Sequence, residues 1–339
     1  MKKIRNVVFW CFAALIVLYG ISWIPTFENA DTTWGITFSQ YYAMEELGLR
    51  WRDAYLAILD ELKPRKLRLV AYWQYLEPKP NAFESADLDW QMAEAEKRGI
   101  PTTIAVGYRV PRWPECHWPE WVRRETSDTF RAEVMQYLAW VVEHYQNAPN
   151  LERWQVENEP LFSFFGVCPP PDSSFLDEEI ALVKTLDPSR PLMLTDSGEF
   201  STWRKVAGRA EIIGTTLYRT AWNQYTGWWT HLWPPSWYAF RAWLAEKFSG
   251  TQKVVIAELQ AEPWAAGNTS IVTVPFREQT ERFDVNEFER TLVFARATGL
   301  SEIYLWGTEW WYWRKTNGDS SFWDVAKKTF DTDGMMKEI

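Results

Sequence analysis

Histidine and cysteine are scarce in this chain of 339 residues, which contains three of each. They are not grouped at the spacing of metal ligands, so a metal site is poorly supported. Basic residues are also outnumbered, 36 against 45 acidic ones, and no basic block follows the first few residues. The net charge of −9 therefore argues against a nucleic-acid partner and favours an uncharged one.

Aromatic residues, by contrast, are abundant: they make up 17% of the chain and include 24 tryptophans. Many of these tryptophans fall in segments that we expect to be loops rather than at periodic core positions. Flat apolar rings in loops suit contact with sugar rings or with another apolar surface. Packing inside a large core is the alternative, and it explains some of them.

A long apolar run occurs at the amino terminus, from residue 7 to residue 24. It follows three basic residues, Lys2, Lys3 and Arg5. This pattern is typical of an export signal or a single membrane anchor. Because Glu28 occupies a position where signal cleavage requires a small residue, we expect residues 1–30 to be a cytoplasmic stub with an uncleaved transmembrane anchor. The remainder would then lie outside the cytoplasm, anchored to the membrane, or secreted if the segment is cleaved.

After residue 31, short apolar segments alternate with amphipathic ones, the pattern of a parallel sheet covered by helices. Eight segments have the character of strands: 33–39, 66–73, 101–108, 153–159, 191–196, 211–218, 253–259 and 302–309. Eight strands with intervening helices predict a single α/β domain, a (β/α)8 TIM barrel, over residues 31–339. We expect this domain to be a monomer.

The sequence predicts some of the helices and loops between the strands more distinctly than others. Seven apolar residues between Phe130 and Tyr145 fall on one helical face, after Ser127 and Asp128 as a cap. The fifth helix, within residues 201–208, is predicted to be short. Residues 220–235 form a long loop rich in tryptophan, and long loops in compact domains are usually functional when they are ordered.

Two of the predicted strands end in carboxylates. The fourth contains ERWQVENEP, residues 152–160, and the seventh ends in Glu258 after four apolar residues. Ionised carboxylates are costly in a buried strand unless they are paired or used. The carboxyl ends of barrel strands meet at one face, where Glu159 and Glu258 could flank a glycosidic bond. Glu262, one short turn further on, is the alternative to Glu258.

These motifs resemble those of the retaining glycoside hydrolases of clan A, whose catalytic glutamates end the fourth and seventh strands of such a barrel. NEP, which contains Glu159, is similar to the acid/base motif, and VVIAE, which ends in Glu258, is similar to the nucleophile strand. The likeness covers most of the chain from residue 32. Residues 72–100, which include Trp73, are similar to the β-galactosidase and xylanase families.

The resemblance also implies residues that support catalysis. Arg68 is similar to the arginine near the nucleophile, Tyr218 to the tyrosine that hydrogen-bonds it, and Trp306 to the aromatic platform under the reacting sugar. Five further residues are expected to contact substrate: Trp73, Asn158, Trp228, Glu309 and Trp311. Thr216 departs from the pattern, because many members of the clan have histidine there.

The sequence thus predicts an enzyme that cleaves β-linked glycosides or polysaccharides by double displacement, without a metal or an organic cofactor. There are two alternatives. One is a membrane-anchored transglycosylase that remodels a surface polysaccharide, and the other is a non-catalytic glycan-binding protein, which would have no reason to retain both glutamates. The sugar, its linkage and exo or endo action depend on loops that carry no recognisable code.

Cys116 and Cys168 fall in the loops after the third and fourth strands, which are neighbours in this fold. A disulfide and two unpaired thiols are both compatible with the sequence. We predict that the two residues lie close together, within the roughly 7 Å between Cα atoms that a disulfide requires.

Overall fold

The computed structural model describes residues 9–10, 19–20, 22–23, 32–122, 128–223, 225–267 and 269–331. Most of the apolar run at residues 7–24, and with it the predicted anchor, lies outside these ranges. Within them, none of the helices combines the length and the apolar character needed to cross a bilayer.

The strands of the described chain form a closed barrel and one small hairpin. They are β1 (Thr33–Thr37), β2 (Lys66–Val70), β3 (Thr102–Val106), β4 (Leu151–Val156), β5 (Leu192–Asp196), β6 (Ile212–Leu217), β7 (Thr220–Asn223), β8 (Gly227–Thr230), β9 (Lys253–Gln260) and β10 (Glu302–Trp306). All except β7 and β8 are parallel, and β10 closes the barrel on β1. The predicted eight-stranded barrel is therefore confirmed, with β9 as its seventh strand and β10 as its eighth.

Helices lie between the barrel strands. They are α1 (Trp51–Ala57), α2 (Trp73–Leu76), α3 (Ala86–Glu96), α4 (Asp128–Tyr145), α5 (Ser173–Leu186), α6 (Pro235–Phe248), α7 (Phe276–Arg282), α8 (Val285–Ala297), α9 (Thr308–Thr316) and α10 (Ser321–Phe330). In α4 the seven apolar residues predicted to share a face are all buried. This burial places that face against the barrel, as the periodicity indicated.

Two expectations about the segments after β5 and β6 were wrong. Residues 201–208 form turns rather than a fifth helix, because Trp203 has a φ of +62° and Gly208 a φ of +83°, which a right-handed helix cannot contain. The segment 220–235 is more regular than a long loop: β7 and β8 pair as an antiparallel hairpin, with Trp222 opposite Trp228.

The barrel strands are buried along almost their whole length, as expected for a parallel sheet covered on both faces. Every residue of β3, β5, β6 and β10 is buried. The barrel interior contains a small apolar group, formed by Met193, Ile212, Val255 and Ala257. The polar residues at the strand ends therefore stand out as groups that the core does not explain.

A buried ion cluster lies at the amino-terminal end of the barrel. The carboxylate of Glu302, at the start of β10, accepts hydrogen bonds from Lys253 Nζ at 2.5 Å and Lys66 Nζ at 3.2 Å, and pairs with Arg153 Nη1 at 2.8 Å. Burial alone would raise the pKa of Glu302, but Arg153, Lys66 and Lys253 together lower it to about 2. The cluster ties β2, β4, β9 and β10 together.

This cluster predicts a pH dependence of stability. The folded-state pKa of Glu302, about 2, lies below its ordinary value of 4.5, so its contribution is complete above about pH 4.5 and is lost as the pH falls toward 2. Glu302→Gln should lower the free energy of unfolding at pH 7 by about 3 kcal/mol, the lower end for a broken buried pair. Lys253 loses its carboxylate partner, whereas Lys66 and Arg153 still pair with Glu152. Urea unfolding should show the difference from the parent shrinking between pH 5 and pH 2.

A matched control for this measurement is Glu281→Gln, which removes an exposed carboxylate paired with Arg277 within one helix. Such surface pairs contribute about 0.5 kcal/mol or less, so this variant should unfold like the parent. Equal stability of the Glu302→Gln and Glu281→Gln variants at pH 7 would contradict the prediction.

Candidate active site

The chain after β4 leaves the regular strand conformation at two glutamates. Glu157 has a φ of +59° and Glu159 a φ of +45°. Residues other than glycine occupy this region rarely, at a cost of about 1–3 kcal/mol. A regular strand would have placed the two side chains on the same side. The turn instead gives their carboxyl groups different surroundings.

Glu157 has a structural role between the loops that follow β3 and β4. Its carboxylate accepts the backbone N–H groups of Tyr108 at 2.9 Å and Arg109 at 2.7 Å. Burial raises its pKa to about 7, against the hydrogen bonds from Glu179 and the two amides. A Cβ atom at Gly107 would lie 2.1 Å from this carboxylate, so only glycine fits there. The carboxylate of Glu157 is therefore engaged in hydrogen bonds within the protein.

Arg68, on β2, connects the two strands that carry the predicted catalytic residues. Its side chain is fully buried, with Nη1 donating to Glu258 at 3.0 Å and Nη2 donating to Asn158 Oδ1 at 2.8 Å. Nε donates to Gln155 at 2.7 Å, which fixes the plane of the guanidinium. One side chain thus orients both Glu258 and the residue beside Glu159.

Glu258 is directed to the barrel mouth by a bulge in β9. Thr215 pairs with Ile256 and Thr216 with Glu258, so Ala257 is an extra residue in the strand. A bulge of this kind changes the direction of the following side chain, and bulges are common beside active sites. Tyr218, just after β6, donates its hydroxyl to the second oxygen of Glu258 at 3.1 Å. Both oxygens of Glu258 are therefore held.

Tyr218 is itself positioned by a buried carboxylate, that of Glu199. Its backbone N–H donates to Glu199 at 2.7 Å, and Thr216 Oγ1 donates to the same carboxylate at 2.6 Å. Thr216 stands where many clan A members have histidine, so in this chain a Thr–Glu pair supports the tyrosine. Burial and the negative Glu258 raise the pKa of Tyr218 well above its usual value, which keeps the hydroxyl a donor.

Glu159 is buried beside these groups and is faced by further charged residues. Its backbone N–H donates to Thr195 Oγ1 at 2.7 Å, and the residue is 7% exposed. Burial, followed by the negative charges of Glu258 and Glu115, raises the pKa of Glu159 well above its ordinary value. The site thus contains one carboxyl that accepts hydrogen bonds from two donors and one whose pKa is raised by burial and by neighbouring negative charges.

The loop between β3 and α4 supplies two charged residues that the sequence reasoning missed. Arg112 and Glu115 have φ values of +87° and +74°, and both are buried. Cys116 follows directly and forms a disulfide with Cys168, with Cα atoms 5.4 Å apart, so the predicted proximity is confirmed. In the sequence, Glu115 could have been noticed as a glutamate next to a cysteine in a loop at a strand end. Which residue its carboxylate contacts depends on the backbone turn, which the sequence does not reveal.

Arg112 covers the residue expected to be the sugar platform. Its guanidinium carbon lies 4.1 Å from the ring centroid of Trp306 and 3.7 Å from that of Tyr42. It pairs with Glu262, and with Glu309 at 2.9 Å. Glu309 is fully buried, so the expectation that it contacts substrate is wrong. The ring of Trp306 is buried as well, because the guanidinium of Arg112 stacks over it.

Two further tryptophans are corrected in the same way. Trp311 is fully buried, donates its indole N–H to the Ala261 carbonyl at 2.6 Å and packs on Phe288. Trp73 is also fully buried and stacks on Tyr137, with centroids 5.3 Å apart. Neither ring has a face left for a sugar, because each faces the hydrophobic core.

The rings that remain near the mouth come from other loops. Tyr218 lies edge-on to Trp264 at 5.6 Å, Trp264 contacts Phe165 at 5.6 Å, and Phe165 contacts Trp113 at 5.6 Å. This series, which we call the aromatic arc, leads from the tyrosine on Glu258 to the exposed ring of Trp113. Trp228, on β8, is 41% exposed and lies against Arg282.

In the described ranges, no group of three or more His, Cys, Asp or Glu side chains is arranged to hold a metal ion. The arrangement at the mouth is suited to proton transfer and nucleophilic attack, since it combines a carboxylate oriented by two donors with a carboxyl whose pKa is raised.

Comparison with solved structures places this site in a known fold. GH5_18 from Bifidobacterium longum subsp. longum matches with a TM-score of 0.58 at 12% identity, over 81% of this chain and 69% of that one. A psychrophilic glycoside hydrolase family 10 endo-β-1,4-xylanase matches at 0.51 and 12%, over 82% and 87%. An exo-β-1,4-mannosidase from Opitutaceae bacterium strain TAV5 matches at 0.52 and 13%, over 83% and 54%. The fold that this chain shares with these three glycoside hydrolases is the (β/α)8 barrel. No family model and no curated protein sequence matches the chain.

The burial of Trp311 predicts a structural phenotype. Trp311→Ala should lower the free energy of unfolding by about 3–5 kcal/mol, since it leaves a large cavity in the core. Trp228→Ala, at a 41% exposed ring, is the matched control and should cost about 1 kcal/mol or less. Chemical unfolding followed by circular dichroism measures both. Equal losses would show that Trp311 is not a core residue.

Proposed function

We propose that this protein is a retaining glycoside hydrolase acting on β-linked glycosides, with Glu159 as acid/base and Glu258 as nucleophile. One observation carries the proposal: the two carboxyls at the mouth have opposite environments. Glu258 accepts hydrogen bonds from Arg68 and Tyr218, whereas burial and neighbouring negative charges raise the pKa of Glu159. An acid role suits a carboxyl whose pKa is raised, and a nucleophile role suits a carboxylate oriented by hydrogen-bond donors.

The solved neighbours support the substrate class. The xylanase and the mannosidase are both named for β-1,4 linkages, and GH5_18 from Bifidobacterium longum has also been solved, as a variant, with bound Manβ1-4GlcNAc. A β-linked glycoside or polysaccharide is therefore the first substrate class to test. The aromatic arc offers ring faces for sugars beyond the cleaved bond.

In the first step a carboxylate oxygen of Glu258 bonds to the anomeric carbon while the glycosidic C–O bond breaks. Glu159 gives its proton to the departing oxygen, and a glycosyl ester of Glu258 forms. In the second step Glu159, now ionised, takes a proton from water, whose oxygen bonds to the anomeric carbon as the ester bond breaks. Arg68 and Tyr218 orient Glu258 through hydrogen bonds to its two oxygens before attack and after release.

Activity measurements on Glu258→Ala and Glu159→Ala test the assignment, with aryl β-glycosides and β-linked oligosaccharides as substrates. Glu258→Ala should lose activity by about 10³-fold or more on every substrate, because the nucleophile is absent. Glu159→Ala should be less impaired on aryl glycosides, whose leaving groups need little protonation, than on oligosaccharides. NMR of the initial product should show the β anomer.

The exposed Glu120, on the β3–α4 loop, gives a matched control, and Glu120→Gln should behave like the parent. Near-parental activity of Glu258→Ala would reject the nucleophile assignment, and an initial α anomer would mean inversion. Transfer of the sugar to an added saccharide in preference to water would favour the transglycosylase instead. Full binding of oligosaccharides without any turnover would favour a glycan-binding protein.

The apolar run at residues 7–24 leads to a second proposal, that the catalytic domain is anchored to the outer face of a membrane. Tyr19 donates its hydroxyl to the Leu232 carbonyl at 2.7 Å, and Trp23 packs edge-on against Phe294. Trp233, which follows Leu232 in the chain, begins a series of ring contacts. The series continues along α6 through Trp237, Phe240 and Trp243. Tryptophan and tyrosine are enriched where a protein meets the bilayer interface.

Fractionation of cells that express the full chain tests this localisation. We expect the protein in the membrane pellet after carbonate washing, with the domain open to protease added from outside. Recovery of a soluble protein that lacks the first residues by mass spectrometry would mean that the segment is a cleaved signal.

A further inference from the structure

A third carboxyl, that of Glu115, lies among the residues of the candidate site. It accepts a hydrogen bond from Asn158 Nδ2 at 2.9 Å. Asn158 precedes Glu159 in the chain, and its Oδ1 accepts from Arg68, which also holds Glu258. Glu115 is thus connected by side-chain hydrogen bonds to Glu258 and lies beside the segment that carries Glu159.

The position of Glu115 is fixed by its loop. Its N–H donates to the Arg112 carbonyl at 2.7 Å, and its carbonyl accepts from the Val110 N–H at 2.8 Å. A Cβ atom at Gly166 would lie 2.9 Å from the Glu115 Cβ, so the β4 loop packs closely on it. A buried carboxylate at a positive φ is costly, which points to a function for it.

Hydrogen bonds also show what Glu115 does to Asn158. Asn158 Oδ1 accepts from Arg68, from Thr195 at 3.0 Å and from Gln155 Nε2 at 3.1 Å, while Nδ2 donates to Glu115. A rotated amide would direct its NH2 group at these three donors and its oxygen at the carboxylate of Glu115. Glu115 therefore acts together with these donors to hold the one amide orientation in which Asn158 supports Arg68.

The charges around Glu159 come from several elements. Negative groups face it from β9, the β3–α4 loop and the end of β5, namely Glu258, Glu115 and Asp196, and Arg109 is the opposing cation. Glu115 in turn faces Glu258, with Arg109 and Arg68 opposing. Burial, with the negative Glu258, raises the pKa of Glu115 to about 7, so its charge develops near neutral pH.

We propose that Glu115 is a positioning residue that fixes the amide of Asn158 and, through its negative charge, favours the protonated form of Glu159. The proposal rests on the proposed function, in which Glu159 donates the proton to the leaving group. It assigns to the β3–α4 loop a part in catalysis without contact between Glu115 and the reacting atoms.

The decisive variant is Glu115→Gln, which keeps an oxygen to accept from Asn158 but removes the charge. The loss of a nearby negative charge should lower the pKa of Glu159, so the basic limb of kcat/KM against pH should move to lower pH by about one unit. Activity on the acidic side should stay within about threefold of the parent. A purely structural role would lower activity at all pH values without moving the limb.

Glu115→Asp and Glu120→Gln complete the series. Glu115→Asp keeps the charge, so its basic limb should stay near that of the parent even if its activity falls. Glu120→Gln removes an exposed charge from the same loop and should move nothing. If the basic limb moved as far in Glu115→Asp as in Glu115→Gln, the role of charge would be overturned. The position of the limb does not depend on the amount of folded enzyme, so the comparison holds even if one variant folds poorly.

A measurement without turnover separates this inference from the proposed function. Carboxyl titration by NMR in the full chain, with the Glu159 signal identified through Glu159→Gln, should show a lower midpoint for Glu159 in Glu115→Gln than in the parent. A lower midpoint without glycosidase activity would reject the proposed function alone. An unchanged midpoint and an unchanged limb in an active enzyme would reject the role of Glu115 alone.

Discussion

The buried guanidinium of Arg68 is the interaction on which the site depends. A fully buried cation is unstable without a paired anion, and Glu258 is the carboxylate that it contacts. Burial, followed by the negative charge of Glu258, raises the pKa of Glu159. The contact also crosses the barrel from β2 to β9, so the same side chain links the electrostatics of the site to the closure of the sheet.

The β3–α4 loop places charge where an aromatic surface was expected. Arg112 occupies the space between the rings of Tyr42 and Trp306, and two carboxylates neutralise it. Ring faces for a ligand are offered instead by the aromatic arc, whose members come from the loops after β3, β4, β6 and β9. The residues that offer ring faces to a ligand can thus come from different loops around the mouth, while the carboxyl groups stay at the strand ends.

The sequence was informative wherever a short-range pattern decides the outcome. Apolar alternation located all eight barrel strands, and strand order alone located Glu159 and Glu258, because parallel strands end at one face. All four residues from Trp310 to Trp313 are aromatic, so the sequence has no alternation there that would tell buried from exposed positions. The burial of Trp311 was therefore not predictable from the sequence. Glu115 and the bulge at Ala257 depend on positive φ values and on register, which arise only when distant strands and loops pack together.

The disulfide between Cys116 and Cys168 divides the mouth of the barrel into two unequal halves. On one side, the loops after β3 and β4 are cross-linked next to Glu115, which directly precedes Cys116. On the other side, the hairpin of β7 and β8 and the loop after β9 have no such link, since the chain has only one other cysteine, Cys11. The covalent link limits how far the loops after β3 and β4 can separate, and it thereby keeps Glu115 close to the segment that carries Glu159.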